Sequence, residues 1–453
     1  MCSFHQPKLF DADDTEHDEV IPSNRMNFGT FKDSLRAPIH SWFTYPAGFS
    51  YKAVEEAFRL NGIVEGNLVY DPFAGTGTTN VVATQYGIDS IGVEAHPFVH
   101  FVAKTKLNWQ FEIPSLLNEI DHLISRITYL VQTNDSNHLN LDEIFPELVL
   151  KCYSTEKLEH LYLCRLAIQE ITSEPMRNFA KLALTHLLRS IADVATGWPY
   201  IAPQKAKKPS KTGQVDVCRS LKTQLLKMVH DLQTVRLSVD QLGHPHLIEG
   251  DARVEQPFPS ACVDHAFTSP PYLNNYDYAD RTRLEMYFWG EAQSWSDITS
   301  RVRTRLIMSA TTQINRQNYA VQKLISNDLN TVAPLIAQEL DDKVLQLSQI
   351  RLQKGGKKSY DILVAGYFND MLCVLRETYR LLKPGASFML ILGDSAPYGV
   401  YVPTHTYLGE IGKGLGFSNY SVEVLRERGG KWKDNPQRHN VPLQECILTL
   451  KKA

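Results

Sequence analysis

Short apolar runs alternate with helical patterns along much of the chain. Runs of strand length occur at 67–71, 90–94, 246–251, 262–268, 387–392, 420–425 and 445–450. Helical patterns precede or separate several of them, as at 51–62, 79–85 and 368–382. Strands that alternate with helices are typical of a parallel, doubly wound sheet.

Two stretches interrupt this alternation. Residues 111–240 have the apolar spacing of successive amphipathic helices, broken by a Lys/Pro/Gly-rich stretch at 203–213 that we interpret as an exposed basic loop. Residues 291–357 form the second interruption, which is free of acidic side chains from 298 to 327. The predicted fold class is therefore α/β, a doubly wound Rossmann-like sheet with a large helical insertion and a smaller basic insertion.

Composition and charge exclude several classes of protein. The 453 residues carry 47 Lys and Arg against 50 Asp and Glu, a net charge of -3, so a uniformly basic nucleic-acid coat is excluded while local basic patches are not. No run of apolar residues is long enough for a membrane span. The seven cysteines are scattered, which favours a reducing, cytoplasmic setting. We predict no metal site, and we expect His265, within a strand, to be a core residue.

The first segment with chemical meaning is 71–79, Asp-Pro-Phe-Ala-Gly-Thr-Gly-Thr-Thr, between a strand and a helix. Its glycines let the backbone approach a ligand, and the helix N-terminus offers free N–H groups. It lacks the lysine of a phosphate-binding P-loop and the third glycine of a dinucleotide fingerprint. Glu94 ends the next strand, where a carboxylate can accept both hydroxyls of a ribose.

The second segment is 268–272, Thr-Ser-Pro-Pro-Tyr, directly after an apolar strand. Two prolines cannot continue a sheet, so the chain must leave the strand edge rigidly. They remove two N–H donors and leave carbonyls that can accept hydrogen bonds from a planar amino group. Tyr272 could then stack on the ring that carries that amino group.

Together, these two segments resemble the amino-methyltransferases that transfer a methyl group from S-adenosylmethionine to exocyclic nitrogens of DNA bases. The Ser-Pro-Pro-Tyr form is similar to the cytosine-N4 branch, whereas adenine-N6 enzymes more often have Asp or Asn before Pro-Pro. The segment 45–50 is similar to the family's HPAKFP-like segment, with Tyr45 in place of the usual His. Gly250–Arg253 and the Leu-Lys-Pro-Gly run at 382–385 also resemble family segments.

The resemblance implies a role for each matching residue. The catalytic group would comprise Ser269, Pro270, Pro271 and Tyr272, with Ser269 and the Pro270 carbonyl polarising the target amino group. Cofactor contacts would come from Phe49, Asp71, Phe73, Gly75, Gly77, Thr78, Glu94, Asp251 and Thr268, with Glu94 at the ribose and Asp251 at the adenine. The target base would have to leave the duplex stack, because its amino nitrogen is otherwise engaged in pairing.

Given the resemblance, the expected segments are an acidic tail at 1–25, the cofactor-binding half of the core at 26–110, the helical insertion at 111–240, the catalytic strand and motif at 241–290, the basic insertion at 291–357 and the C-terminal half at 358–453. Basic stretches in the second insertion and near the C-terminus are candidates for phosphate contacts. The proposed substrate contacts are Tyr276, Arg301, Arg303, Arg305, Arg428 and Lys431. The spacing of the arginines at 301, 303 and 305 would put them on one face of an extended arm.

The predicted function is therefore methylation of cytosine N4 at a defined DNA sequence, with DNA as the partner and a cognate restriction nuclease as a further partner. Alternatives stay open: adenine-N6 methylation, an RNA base or a protein amide as substrate, and a DNA-binding module without turnover. Cytosine-C5 chemistry is disfavoured because the chain has no Pro-Cys dipeptide for the nucleophile. Which insertion reads the DNA, and the oligomeric state, stay open as well.

Overall fold

The computed structural model describes residues 25–45, 47–133, 139–196, 201–206, 215–237, 241–274, 276–319, 324–428 and 441–453. The acidic tail predicted at 1–25 therefore lies outside the described residues, apart from Arg25. The same holds for Lys431 and for most of the basic loop predicted at 203–213.

A mixed sheet forms the centre of the fold. The strands are β1 (Leu68–Asp71), β2 (Asp89–Glu94), β3 (Val194–Ala195), β4 (Ala202–Ala206), β5 (Pro245–Glu249), β6 (Val263–Thr268), β7 (Leu382–Gly393), β8 (Phe417–Arg428) and β9 (Leu443–Lys452). Among the described residues, seven of them form the central sheet in the order β5-β2-β1-β6-β7-β9-β8, and β3 pairs with β4 separately. The strands from β5 to β7 are parallel, and β9 runs antiparallel between β7 and β8.

Helices connect and cover these strands. They are α1 (Tyr51–Leu60), α2 (Thr78–Gln85), α3 (Pro97–Lys106), α4 (Ile113–Thr133), α5 (Leu141–Ile144), α6 (Glu147–Leu150), α7 (Thr155–Gln169), α8 (Glu174–Ser190), α9 (Val217–Leu237), α10 (Arg283–Trp289), α11 (Trp295–Ile298), α12 (Asn327–Val332), α13 (Pro334–Gln353), α14 (Tyr360–Leu381) and α15 (Thr404–Leu415). This arrangement confirms the predicted Rossmann-like fold class. Order along the sheet reverses between β1 and β6, and such a switch point opens a crevice at the carboxyl ends of the strands.

Alternating side chains of β7 fill both layers beside the sheet. Phe388 and Leu390 face the cluster that contains α14, whereas Met389 and Ile391 face the cluster that contains α1. Burial on both faces explains why this strand is a continuous apolar run. Helices α4 and α7–α10 join a third cluster with α3, which connects the helical region between β2 and β5 to the sheet domain.

Three local expectations differ from the structure. The helix expected at 368–382 begins earlier, at Tyr360, and β7 already starts at Leu382, before Gly385 (φ +77°). The arm expected around 301–305 is helical instead, because α11 continues into a π-helical turn at Thr299–Arg303. In the same predicted insertion, α12 and α13 pack on α14 through apolar side chains of the cluster that contains α14.

Candidate active site

The turn after β1 is built around a buried carboxylate. Asp71 accepts hydrogen bonds from the Thr268 hydroxyl (2.6 Å), the Thr79 hydroxyl (2.6 Å) and the Phe73 N–H (3.0 Å). These bonds tie the end of β1 to the end of β6 and to the first turn of α2. Burial raises the pKa of Asp71 to about 6, against the lowering effect of its three donors.

A cavity that is partly open to solvent lies over this turn at the carboxyl edge of the sheet. The aromatic residues Phe49 and Phe73 line it, and so do the acidic residues Glu94 and Asp251. Predicted cofactor residues Gly75 and Thr78 also lie in its wall. The sequence therefore identified a set of residues that the fold brings to one cavity.

Glu94 is buried and already accepts two backbone hydrogen bonds, from Gly75 N–H (2.8 Å) and His96 N–H (2.7 Å). A carboxylate has about four lone-pair sites, so it can accept two further donors such as the hydroxyls of a ribose. Burial is the main reason that the pKa of Glu94 rises to about 7. His96 lines the same cavity, and its buried Nδ1 has no hydrogen-bond partner among the described residues.

Asp251 also lines this cavity. Its carboxylate pairs with Arg253 (2.8 Å), and Arg253 also reaches Asp370 (3.1 Å). The Asp251 side chain stays 35% exposed, so an acceptor remains available to an amino group. Apolar rings and two carboxylates therefore line the same cavity.

A second cavity adjoins the first and is also partly open to solvent. Ser269, Ala47 and Tyr278 line both cavities, and Tyr272 and Tyr276 line the second. The Ser269 hydroxyl donates to the Ile391 carbonyl (3.0 Å). Its oxygen therefore keeps lone pairs that can accept a hydrogen bond at the point where the cavities meet.

Tyr272 is held from the far strands of the sheet. Its hydroxyl donates to Glu445 on β9 (3.1 Å), and Arg426 on β8 pairs with the other oxygen of Glu445 (2.7 Å). Burial raises the pKa of the Tyr272 hydroxyl well above 10, so it remains a donor to Glu445. The Arg428 guanidinium lies over the Tyr272 ring, 5.1 Å from its centroid.

Several predicted site residues lie behind the cavity walls. Asp71 and Thr268 are fully buried and bond to each other, and Gly77 (φ +82°) packs against Ala103 at the start of α2. Pro270 is buried outside the described lining of both cavities, whereas Pro271 lines the first. Asp71, Gly77 and Thr268 therefore support the turn that carries the cavity wall, and their contacts with a cofactor stay predictions.

The three arginines of the predicted arm have separate positions. Arg303 is buried, pairs with Asp277 (2.7 Å) and lies over the Trp295 ring, so its placement does not support a phosphate contact. Arg305 lines the first cavity and pairs with Glu249 (2.8 Å). Arg301 is exposed and donates to the Glu291 carbonyl.

The sequence did not single out Glu445 or His96, and Arg426 entered only as part of the basic stretch near the C-terminus. Glu445 is 173 residues from Tyr272, and no local pattern links them. His265 is fully buried in β6, as predicted for a core residue. Among the described residues, no cluster of His, Cys, Asp and Glu could hold a metal ion, and no helix is long and apolar enough to cross a bilayer.

Comparison with known proteins agrees with this site. Residues 16–105, which contain the turn after β1 and Glu94, match a family described as DNA methylase. The chain is 24% identical to the type II methyltransferase M.BsoBI of Geobacillus stearothermophilus, with 93% of this chain and 87% of that protein aligned. It is also 24% identical to M.AvaI of Nostoc sp. (93% and 88% aligned) and 20% identical to M.MvaI of Kocuria varians (89% and 86% aligned).

These relatives align over nearly their whole length, and the family match covers the cofactor half of the sheet. Both findings agree with the paired cavities and with the Ser-Pro-Pro-Tyr segment between them. Together they support an S-adenosylmethionine-dependent DNA methyltransferase of the N4/N6 amino-methyltransferase family.

Proposed function

We propose that this protein methylates the exocyclic N4 of cytosine in DNA at a defined sequence. The observation that carries the proposal is the position of Ser269 in the wall common to two adjoining cavities. One cavity has the lining expected for the cofactor, and the other is bounded by aromatic rings suited to a planar base. A group held at Ser269 would therefore face the cofactor.

Residues of the first cavity would bind and orient the cofactor. Phe49 and Phe73 would pack beside its methionine part, Glu94 would accept its ribose hydroxyls, and Asp251 would accept its adenine amino group. When bound, S-adenosylmethionine supplies an electrophilic methyl group for direct displacement.

Residues of the second cavity would hold the target base, which must be extruded from the duplex to enter it. Ser269 Oγ would accept one N–H of the amino group because its own proton is donated to Ile391. The Pro270 carbonyl would accept the other N–H, as the resemblance implies. Tyr272 and Tyr276 would contact the ring. Alignment of the amino nitrogen, rather than a covalent step on the protein, would then account for the rate.

The choice of cytosine rests on the Ser-Pro-Pro-Tyr segment and its resemblance to the cytosine-N4 branch. The type II names of the relatives support action at a defined DNA sequence and a cognate restriction nuclease as partner. The helical region between β2 and β5 and the region containing α11 are the candidates for reading that sequence. The six described cysteines are free thiols, which supports the proposed reducing, cytoplasmic setting.

The test is to incubate purified protein with methyl-labelled S-adenosylmethionine and mixed-sequence DNA, and to identify methylated nucleosides by mass spectrometry. An RNA of the same base composition serves as the matched substrate. We expect label in N4-methylcytosine from the DNA and none in the RNA. N6-methyladenine as the sole product would contradict the choice of base, and label in RNA alone would contradict the choice of substrate.

A further inference from the structure

The Arg428 side chain is held in place in the wall of the second cavity. It lies at the end of β8 and lines the cavity together with Ser269 and Tyr272. Its Nη1 donates to the Asp394 carbonyl (3.2 Å), and its guanidinium lies 5.1 Å from the centre of the Tyr272 ring. Gly393 makes room for it, since a Cβ at that residue would lie 2.2 Å from Nη1.

Charge on this wall is unevenly distributed. The carboxylate of Glu445 pairs with Arg426, so these two opposite charges offset each other. Arg428 has no carboxylate within ion-pair distance among the described residues. A guanidinium carries five N–H donors in a fixed planar fork. In Arg428, one of these donors bonds to the Asp394 carbonyl. The cavity therefore presents a cationic, donor-rich group beside its aromatic rings.

The two candidate target bases differ in what they offer such a group. With the amino group of either base at Ser269, the next ring atom is an acceptor, N3 in cytosine or N1 in adenine. The following position is the O2 acceptor in cytosine but a C–H in adenine. A guanidinium can therefore pair with two adjacent acceptors of cytosine, whereas adenine offers only one acceptor at these two positions.

We propose that Arg428 is a specificity-determining residue that donates to the N3 and O2 edge of the extruded cytosine. This inference rests on the proposed function and extends it, because Ser269 alone would accept an amino group from either base. A site built to hydrogen-bond a substrate group discriminates strongly against an analogue without that group. Arg428 would thus add selectivity between the two bases to the amino-group contact at Ser269.

A phosphate contact is the competing role for an arginine in a DNA enzyme, and it makes different predictions. Loss of a phosphate contact weakens binding to all sequences about equally and lowers the salt dependence of binding. Loss of a base-edge contact lowers turnover on one base and relaxes selectivity, with the salt dependence unchanged. The two roles can therefore be separated on the full-length protein.

The experiment compares wild type with Arg428→Met, Arg428→Lys and the control Arg376→Met, an exposed arginine on α14. Each is assayed for kcat/KM on a duplex that contains the mapped target cytosine, and on the same duplex with 3-deazacytosine, which lacks the N3 acceptor. Wild type and the control should lose about 10- to 100-fold on the analogue, the effect of one good base-edge contact. On the cytosine duplex, the kcat/KM of Arg428→Met should be lower than that of wild type by a similar factor. Replacing cytosine by the analogue should lower the kcat/KM of this variant by less than about threefold more.

Arg428→Lys keeps the charge without the fork and should behave like Arg428→Met, with retained cofactor affinity showing that each variant is folded. The proposal is overturned if the analogue lowers the kcat/KM of wild type and of Arg428→Met by the same factor. It is also overturned if Arg428→Met binds DNA with a weaker dependence on salt concentration while its preference for cytosine over the analogue is unchanged. If wild type itself forms only N6-methyladenine, the proposed function fails first, and the product analysis identifies that case.

Discussion

Replacing Thr268 by valine tests how the buried carboxylate of Asp71 supports the cofactor wall. Valine keeps the branched shape but removes the hydroxyl that donates to Asp71 at 2.6 Å. Thr79 and the Phe73 N–H would remain as donors to the same carboxylate. We therefore expect a folded protein with one fewer hydrogen bond to a buried charge.

The expected loss depends on the charge of Asp71, whose pKa burial raises to about 6. A hydrogen bond to a charged group contributes ~1.5–3 kcal/mol, and one between neutral groups ~0.5–1.5 kcal/mol. At pH 8, where Asp71 is ionised, Thr268→Val should lower the free energy of unfolding by ~2 kcal/mol. At pH 5, where Asp71 is protonated, the loss should be ~1 kcal/mol.

The sign of the pH effect follows from linkage. Because the folded pKa of Asp71 lies above the usual value of 3.8, its contribution to stability is complete at low pH and is lost as the pH rises through about 6. Removing the Thr268 hydroxyl, the donor that lowers this pKa most, should raise the pKa further. Stability of the variant should therefore fall more steeply than that of wild type between pH 6 and pH 8.

Denaturant unfolding at pH 5 and pH 8, with Thr268→Ser as the control that keeps a hydroxyl, measures these differences. Calorimetric titration with S-adenosylmethionine should also show weaker binding in Thr268→Val, because the turn over Asp71 carries Phe73 and Gly75. An equal loss of stability at both pH values, or no loss at all, would refute the hydrogen bond to an ionised carboxylate.

Three further predictions concern the two cavities. Ser269→Ala should lower the rate of single-turnover methylation by ~100-fold without changing cofactor affinity, and a matching fall in calorimetric affinity would contradict its assigned role. The ionised form of Glu94 is the better acceptor for ribose hydroxyls and its pKa is about 7, so cofactor affinity should increase from pH 6 to pH 8 in wild type and stay flat in Glu94→Gln. Gly29→Ala would place a Cβ 2.3 Å from the carboxylate carbon of Glu445. It should therefore displace Tyr272 and lower turnover by ~10- to 100-fold; unchanged kinetics would show that the Glu445 contact is dispensable.

Local patterns account for what the sequence predicted correctly. The segments 71–79 and 268–272 each follow a strand directly, so their positions at the carboxyl edge come from the same alternation that predicts the sheet. Glu94 ends β2 for the same reason. Parallel strands bring these ends together, and residues far apart in the chain could therefore be assigned to one site.

Tertiary contacts decide what the sequence left out. The spacing of Arg301, Arg303 and Arg305 allows either an extended arm or a turn, and the ion pair of Arg303 with Asp277 favours the helical turn with one side chain inward. The antiparallel pairing of β8 with β9 places Arg426 opposite Glu445. Neither pairing has a local signature, because each depends on segments that meet only in the folded chain.

The role of Ser269 as the meeting point of cofactor and target base is the central claim. It is tested most directly by a crystal structure of the protein with S-adenosylhomocysteine and a duplex that contains its mapped target. The proposal predicts an extruded cytosine in the second cavity, with N4 about 3 Å from Ser269 Oγ. A base bound elsewhere, or an adenine at Ser269, would contradict it.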